Sequence, residues 1–190
     1  MTKPAKVQKK IFPPAVLQRA RRIRLLLVDV DGVLTDGGIR LLSWPDGKVT
    51  EMKVFNSQDG VALKLLRRAG VQTGMITGRE CAANVHRAKE LGMDYVNQNT
   101  HTKIPAFLHI LERAAVAPEE TAYVGDDLPD LGVMERVGLA VAVANATDAV
   151  KRQAHYITRA SGGAGAVREV VELILRAQGK WDALSRSAQT

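Results

Sequence analysis

The chain has 190 residues, which is enough for one domain with a hydrophobic core of its own. Its single cysteine, Cys81, excludes an intrachain disulfide and a cysteine-based zinc site, and suits a cytoplasmic location. No apolar run approaches the roughly 20 residues of a membrane-spanning helix, and no apolar signal segment follows the basic start, so we expect a soluble, unexported protein without a membrane span.

The net charge of +7 is concentrated at the start of the chain. Residues 1–24 hold eight lysines and arginines and no acidic residue, so the remainder of the chain is close to neutral. We interpret residues 1–24 as a basic, solvated arm that contains a short helix over 15–23, and we expect no nucleic-acid partner. The alternative is an arm that contacts nucleic acid or an anionic membrane surface.

The segment after the arm runs from four apolar residues, 25–28, into two aspartates. The apolar run predicts a buried strand, and Asp29 and Asp31 then lie on the same side at its carboxyl end. Two crowded carboxylates in such a place are costly unless a divalent cation compensates them. The alternative interpretation is a pair of turn-forming aspartates beside Gly32.

A β-hairpin is predicted directly after this strand. Two short strands, 39–43 and 49–54, flank a turn that contains Pro45 and the pair Asp46-Gly47, which is typical of a hairpin. Because the hairpin follows the first strand so closely, we expect it to stand over the two carboxylates as a flap.

From residue 57 onwards the chain alternates between predicted helices and strands. We expect strands at 72–76, 95–96, 121–124, 139–143 and 156–157, and helices at 57–69 (with Ser57 as its cap), 81–91, 102–115, after 130 to 137, 147–153 and 164–178. This alternation predicts an α/β fold, a doubly wound parallel sheet with helices on both faces. Residues 25–179 form this domain, and residues 180–190 are a loose tail unless a neighbouring subunit captures it.

Polar residues occupy several strand ends and helix starts of this predicted sheet: Asp29, Asp31, Thr77, Lys103, Asp126, Asp127 and Asp130. The carboxyl ends of parallel strands share one edge, so we expect these side chains to meet. Carboxylates are ligands for Mg²⁺, while a hydroxyl, an ammonium and the backbone amides after Asp29, including that of Gly32, can bind phosphate oxygens. The sequence therefore predicts Mg²⁺-dependent chemistry on a phosphate.

A covalent route suits this chemistry, because uncatalysed phosphomonoester hydrolysis is among the slowest of reactions. Asp29 can attack phosphorus and form an aspartyl-phosphate. Asp31 can protonate the departing alkoxide and then deprotonate the hydrolytic water. Taken alone, Thr77 could instead be a helix cap, and Lys103 a solvated helix residue.

Four motifs resemble the ordered motifs of the haloacid dehalogenase superfamily over roughly residues 24–160: Asp29-Val30-Asp31-Gly32-Val33, Ile76-Thr77-Gly78-Arg79, Lys103 and Gly125-Asp126-Asp127-Leu128-Pro129-Asp130. The resemblance implies that Asp29 is the nucleophile and Asp31 the acid/base. It implies that Thr77 and Lys103 bind phosphate. It also implies that Asp126 holds Mg²⁺ beside Asp29 and the carbonyl of Asp31, with Asp127 and Asp130 as supporting acids.

A narrower resemblance is to the phosphatases of this superfamily that act on 3-deoxy-D-manno-octulosonate 8-phosphate, in lipopolysaccharide biosynthesis. It is carried by Leu34-Thr35-Asp36-Gly37, Phe55-Asn56, Asp59-Gly60, Thr158-Arg159, the glycine-rich stretch 162–169 and Ala177-Gln178-Gly179-Lys180. It implies a sugar-acid phosphate as substrate, gripped by Arg79, no large cap domain, and a homotetramer whose subunits complete each site. Gln58 and Ala164 depart from the family, which often has basic residues there.

Three alternatives stay open at this point. The substrate could be a nine-carbon sugar-acid phosphate or another small phosphomonoester. The chain could be a non-catalytic regulatory or oligomerisation domain with the same fold, although every catalytic position is filled. A phosphorelay receiver would have adjacent acids at its first strand, whereas Asp29 and Asp31 alternate around Val30.

Overall fold

A six-stranded parallel sheet forms the centre of the structure, a computed structural model that describes residues 12–187. In chain order the strands are β1 (Leu25–Val28), β4 (Gln72–Ile76), β5 (Tyr95–Asn97), β6 (Thr121–Gly125), β7 (Leu139–Ala142) and β8 (Tyr156–Ile157), while β2 (Arg40–Ser43) and β3 (Val49–Met52) form a separate antiparallel hairpin. The spatial order is β5, β4, β1, β6, β7, β8, so the chain leaves β1 on one side and later returns on the other. This switch point lies at β1, where ligands bind in such sheets.

Helices flank the sheet in two groups. They are α1 (Pro14–Ala20), α2 (Ser57–Arg68), α3 (Ala82–Leu91), α4 (Lys103–Ala114), α5 (Leu131–Met134), α6 (Asp148–Gln153), α7 (Ala166–Ala177) and α8 (Trp181–Ser187). Helix α7 packs against α1, α2 and α8, whereas α5 packs against α4 and α6. All four residues of β1 are buried, as expected for a strand covered on both faces. The predicted α/β fold with its hairpin is confirmed, and each helix within residues 12–187 is too short or too polar to span a bilayer.

The two ends of the chain differ in part from their predicted description. Residues 1–11 of the basic arm lie outside the described residues, but α1 packs on α7 through the buried side chains of Val16 and Ala20. The expected loose tail is a helix over residues 181–187. Trp181 anchors it, since its ring lies under the guanidinium groups of Arg168 and Arg176, at 5.7 and 5.3 Å. The chain's own helix α7 thus contacts this segment through Arg168 and Arg176.

Helix α2 begins at Ser57 and is capped by Asn56, one residue earlier than the predicted cap at Ser57. The side chain of Asn56, and not that of Ser57, accepts hydrogen bonds from the backbone amides of Gln58 and Asp59. The side-chain amide nitrogen of Asn56, Nδ2, also donates to the carbonyl of Gly163 at 3.2 Å. The cap therefore ties α2 to the glycine-rich loop before α7.

This glycine-rich loop lies directly on the backbone that follows β1. The amide of Gly163 donates to the carbonyl of Val33 at 3.0 Å, and the amide of Gly162 donates to Oδ1 of Asn145 at 2.7 Å. A Cβ atom on Gly162 would lie 1.7 Å from the carbonyl oxygen of Gly32. Position 162 requires glycine because two backbone segments approach there more closely than any side chain allows.

We expect Gly162→Ala to destabilise the protein by about 2–4 kcal/mol, because the backbone after β1 must move to admit the methyl group. Urea denaturation followed by circular dichroism measures the change. Ser161→Ala, on the exposed neighbouring residue, is the control and should stay within about 0.5 kcal/mol of the wild type. Equal stability of the two variants would contradict the close contact.

Candidate active site

A cavity of about 320 Å³ opens at the carboxyl edge of the sheet. The residues of the predicted site that line it are Asp29, Asp31, Thr77, Arg79, Lys103, Asp126 and Asp127. Gly32 does not line this cavity, and its amide points at the hydroxyl of Thr35, 3.4 Å away. The side chains thus converge as the shared strand edge predicts, while the amide of Gly32 faces its own turn.

Asp29 is held at the end of β1 by two groups. Its Oδ1 accepts a hydrogen bond from the amide of Val30 at 2.7 Å and lies 3.0 Å from Nζ of Lys103. Residues 12–187 provide no hydrogen bond to its other oxygen, Oδ2. Burial raises the pKa of Asp29 to about 6, although Lys103 opposes the rise. One oxygen is therefore fixed and the other is left for chemistry.

Lys103 begins α4 and is buried among oxygen atoms, so the solvated-residue alternative is wrong. Its Nζ lies 2.7 Å from Oδ1 of Asp130 and 3.2 Å from the hydroxyl of Tyr123, in addition to Asp29. Burial lowers its pKa, but Asp29 and Asp130 more than compensate, so the net direction is upward and the ammonium stays charged. Lys103 thus places a permanent positive charge beside Asp29.

Both carboxylate oxygens of Asp130 accept hydrogen bonds in this network. Its Oδ1 accepts from Lys103 and from the hydroxyl of Tyr123, the latter at 2.7 Å. Its Oδ2 accepts from the backbone amides of Asp126 and Asp127, at 2.8 and 3.2 Å. With both oxygens engaged, Asp130 positions Lys103 and the loop after β6. Asp127 is exposed and caps the short 3₁₀ helix that follows it.

Asp126 has an unsatisfied carboxylate oxygen. Its Oδ1 is buried without a hydrogen-bond partner among residues 12–187, and so is Oδ2 of Asp31. Oxygens of Asp29, Asp126 and Asp130 lie within 4.8 Å of one another. Burial, reinforced by repulsion from Asp29 and Asp130, raises the pKa of Asp126 to about 7. Free oxygens that repel one another are what a hard divalent cation binds, so the donor set fits Mg²⁺.

Thr77 and Arg79 follow β4, which lies on the other side of β1 from the strand that precedes Asp126. Thr77 is buried, and its hydroxyl accepts a 3.4 Å hydrogen bond from the amide of Arg79. The cap of helix α3 is Cys81, whose amide donates to the side chain of Gln98 at 3.0 Å, so the helix-cap alternative for Thr77 is wrong. Thr77 is thereby available to the cavity.

Sequence reasoning missed three polar residues of the site. Tyr123 lies within the apolar strand β6, and the need of any buried tyrosine hydroxyl for a partner is a signal that could have pointed to it. Glu51 and Lys53 come from the hairpin, where Lys53 forms a close ion pair with Asp31 and lies 2.9 Å from Glu51. Two charged residues spaced by two on a predicted flap strand were the available signal.

Comparison with known proteins identifies the class of this site. The profile of the haloacid dehalogenase-like hydrolases matches residues 78–170. The phosphatase KdsC of Escherichia coli K12 is 46% identical over 167 residues, which is 88% of this chain and 87% of the relative. The chain therefore belongs to the haloacid dehalogenase-like hydrolases, as a relative of the KdsC phosphatases.

The names of these relatives specify their substrate. KdsC is the 3-deoxy-D-manno-octulosonate 8-phosphate phosphatase, and the enzyme of Salmonella typhimurium is 45% identical over 89% of this chain and 88% of its own length. A probable YrbI family phosphatase from Pseudomonas syringae shares 46% identity at a TM-score of 0.87, covering 94% of this chain and 99% of that one. The Moraxella catarrhalis phosphatase, solved with magnesium, phosphate and 3-deoxy-D-manno-octulosonate (KDO), has 39% identity and a TM-score of 0.85, covering 90% and 97%.

We expect Mg²⁺ binding to weaken as the pH falls from about 8 to about 5.5, because protons then compete for Asp126 and Asp29. The raised pKa values also make the metal-free fold less stable as the pH rises from about 4 to about 7, since the folded chain retains protons that the unfolded chain has released. Isothermal titration calorimetry and thermal melts with and without Mg²⁺ measure both effects.

Asp126→Asn should abolish the rise in melting temperature that Mg²⁺ produces. It should also stabilise the metal-free protein near neutral pH by about 1 kcal/mol, a figure reduced for the partial exposure of this carboxylate. Asp148→Asn, which removes an exposed carboxylate from the first turn of α6, is the matched control: it should keep the Mg²⁺ effect and should not stabilise the metal-free protein. Retention of the Mg²⁺ effect in Asp126→Asn would exclude this residue as a ligand.

Proposed function

We propose that the protein is a Mg²⁺-dependent phosphatase that converts 3-deoxy-D-manno-octulosonate 8-phosphate into 3-deoxy-D-manno-octulosonate and phosphate, in the cytoplasm, for lipopolysaccharide biosynthesis. The observation that carries the proposal is the convergence in one cavity of a free oxygen of Asp29, the ammonium of Lys103 and an unsatisfied oxygen of Asp126. Similarity to the KdsC phosphatases supports this substrate. The lone, buried Cys81 is compatible with a reducing compartment.

The residues can divide the reaction as follows. Oδ2 of Asp29 attacks the phosphorus, forming an aspartyl-phosphate while the bond to the sugar oxygen breaks. Asp31 delivers a proton to that oxygen and then accepts one from the water that hydrolyses the aspartyl-phosphate. Lys103 and Thr77 donate to the phosphate oxygens. Asp29, Asp126 and the carbonyl of Asp31 would hold Mg²⁺, which would supply positive charge to offset the repulsion between phosphate and carboxylates.

The two departures from the family pattern do not change the charge of the cavity. Gln58 and Ala164 are both exposed, and neither lines the cavity that contains Asp29. A change at these positions therefore leaves Arg79, Lys103 and the carboxylates in place. The two departures therefore do not argue against the eight-carbon sugar acid, which the similarity to the KdsC phosphatases favours.

We expect the protein to release phosphate from 3-deoxy-D-manno-octulosonate 8-phosphate with a kcat/KM at least about tenfold above that for a nine-carbon sugar-acid 9-phosphate or a neutral hexose phosphate. Arg79 lines the cavity and can pair with a substrate carboxylate that a neutral hexose phosphate lacks, while the similarity to the KdsC phosphatases favours the eight-carbon over the nine-carbon acid. Phosphate release from the three substrates, with Mg²⁺ and with EDTA, measures this preference. A clear preference for the nine-carbon substrate would show that the proposed substrate is wrong.

Asp29→Asn tests the covalent route. The substitution keeps the size of the side chain but removes the nucleophile, so we expect turnover to fall by about 10³-fold or more while the circular dichroism spectrum is retained. Substantial residual activity would exclude Asp29 as the nucleophile.

We also propose that the protein assembles as a homotetramer through its hairpin. The large apolar residues that the hairpin and its flanks expose are Ile39, Leu41, Leu42, Trp44, Val49, Met52 and Val54. Soluble monomers seldom expose so many neighbouring apolar side chains, and such patches mark protein interfaces. The hairpin contacts Asp31 and Arg79 of the cavity, so a neighbouring copy seated on the hairpin would lie close to the cavity.

Leu42→Asp should dissociate the tetramer, because a charge would be buried in the apolar interface. Leu42 pairs with Thr50 and lies on the face of the hairpin away from Glu51, which pairs with Leu41. Leu108→Asp, on the similarly exposed Leu108 of α4, is the control and should leave the mass unchanged. Light scattering coupled to size exclusion measures the mass, and a wild-type monomer would refute the proposed assembly.

A further inference from the structure

Strand β3 and the residue that follows it bring two opposite charges to the edge of the cavity. Glu51 and Lys53 are two residues apart and therefore point to the same side of the chain. The side chain of Lys53 is only 2% exposed and that of Glu51 14%, although most of the hairpin is open to solvent. Such burial of charged groups on an exposed hairpin needs partners on the body of the protein.

The partners form a continuous series of alternating charges. Lys53 is paired with Asp31 on one side and, at 2.9 Å, with Glu51 on the other. Oε2 of Glu51 accepts from Nη2 of Arg79 at 2.9 Å, and Oε1 accepts from Nε at 3.4 Å. We call this series the Asp31–Arg79 chain. Its first member is the predicted acid/base, and its last is the residue predicted to grip the sugar acid.

The contact between Glu51 and Arg79 uses only one edge of the guanidinium. Nε and Nη2 are engaged by the carboxylate, whereas Nη1 makes no hydrogen bond within residues 12–187. A guanidinium binds a carboxylate through paired N–H groups in a fixed plane, so fixing one edge also fixes the direction of the free one. The Arg79 side chain, which lines the cavity, is 44% exposed and would otherwise sample several rotamers.

We propose that Glu51 is a positioning residue that orients Arg79 so that its free edge meets the carboxylate of the substrate. Lys53 holds Glu51 in place and links this arrangement to Asp31. The inference rests on the proposed function, since it assumes an acidic sugar phosphate. It adds a specificity role for the hairpin strand, which none of the predicted motifs includes.

Glu51→Gln tests this role, because glutamine keeps the size and loses the charge and one acceptor. We expect the KM for 3-deoxy-D-manno-octulosonate 8-phosphate to rise about tenfold and kcat to change less than about twofold, since the lost charge-assisted contact acts on binding. The KM for a neutral hexose phosphate should stay unchanged. Glu80→Gln removes an exposed carboxylate next to Arg79 in sequence and is the matched control, expected to behave as the wild type.

A double-mutant cycle separates positioning from general support of the hairpin. In an Arg79→Gln background, Glu51→Gln should have no further effect on the KM for the acidic substrate, because the group it orients is gone. Additive effects, or an equal rise in KM for the neutral substrate, would overturn the proposal. So would a fall in KM, which would mean that Glu51 competes with the substrate for Arg79.

Binding of the sugar acid itself separates this inference from the proposed function. Calorimetric titration of 3-deoxy-D-manno-octulosonate into the Mg²⁺-loaded protein needs no turnover, and Glu51→Gln should weaken it about as much as it raises KM. Weakened binding in a protein that fails to cleave the 8-phosphate would reject the proposed reaction and keep the positioning role. A wild type that neither binds the sugar acid nor cleaves its 8-phosphate would overturn both the proposed function and the positioning role.

Discussion

Crowding of carboxylates at the carboxyl edge of the sheet is the constraint on which the rest of the site depends. Asp29, Asp126 and Asp130 present oxygens within 4.8 Å of one another. Two unit charges about 4 Å apart interact by roughly 4 kcal/mol at an effective dielectric constant near 20, so the group needs positive charge to remain ionised. Lys103 meets part of that need by lying between Asp29 and Asp130. Since a single ammonium cannot balance three carboxylates, the remaining charge selects a cation.

The geometry of this cluster is set by backbone segments that only glycine allows to approach. Gly32 has a φ of +85°, and a Cβ there would lie 2.0 Å from Oδ2 of Asp126. A Cβ on Gly125 would lie 2.6 Å from the carboxylate of Asp130. The loops after β1 and β6 can therefore lie against each other, and Gly162 contacts the backbone of the loop after β1. Close approach of loops, more than side-chain size, fixes the separation of the acids.

The fold and the convergence of the acids were predictable, because both follow from periodicity along the chain. An apolar run ending in Asp29 predicts a buried strand with its acids at the edge, and parallel topology then gathers Thr77 and Lys103 from distant segments. Which carboxylate is fully hydrogen-bonded and which keeps a free oxygen was not predictable. That Asp130 is saturated while Asp126 keeps a free oxygen depends on which amides and hydroxyls surround each carboxylate. Spacing carries no such information.

Contacts between elements that are distant in the sequence could not be predicted either. The expected loose tail is a helix because Trp181 finds two arginines on α7, and no pattern within residues 180–190 indicates those partners. In the same way, Arg79 was predicted to grip the sugar acid, but no pattern in the sequence indicates that Glu51 of the hairpin holds one edge of its guanidinium. Both cases are pairings across the fold, where burial by a distant element overrides local preference.

The hairpin links the chemistry to the assembly of the protein. Its apolar side chains are largely exposed, while its charged Lys53 is buried against Asp31, so ionic contacts with the body hold the hairpin beside the cavity. A neighbouring copy that covered the apolar residues would exclude water from this side and strengthen those ion pairs, because charges interact more strongly where solvent is displaced. Assembly through the hairpin would therefore act on Asp31 and Arg79 together. The exposed apolar surface and the buried charges are thus two features of the same hairpin, which connects the surface available to a partner with the residues of the cavity.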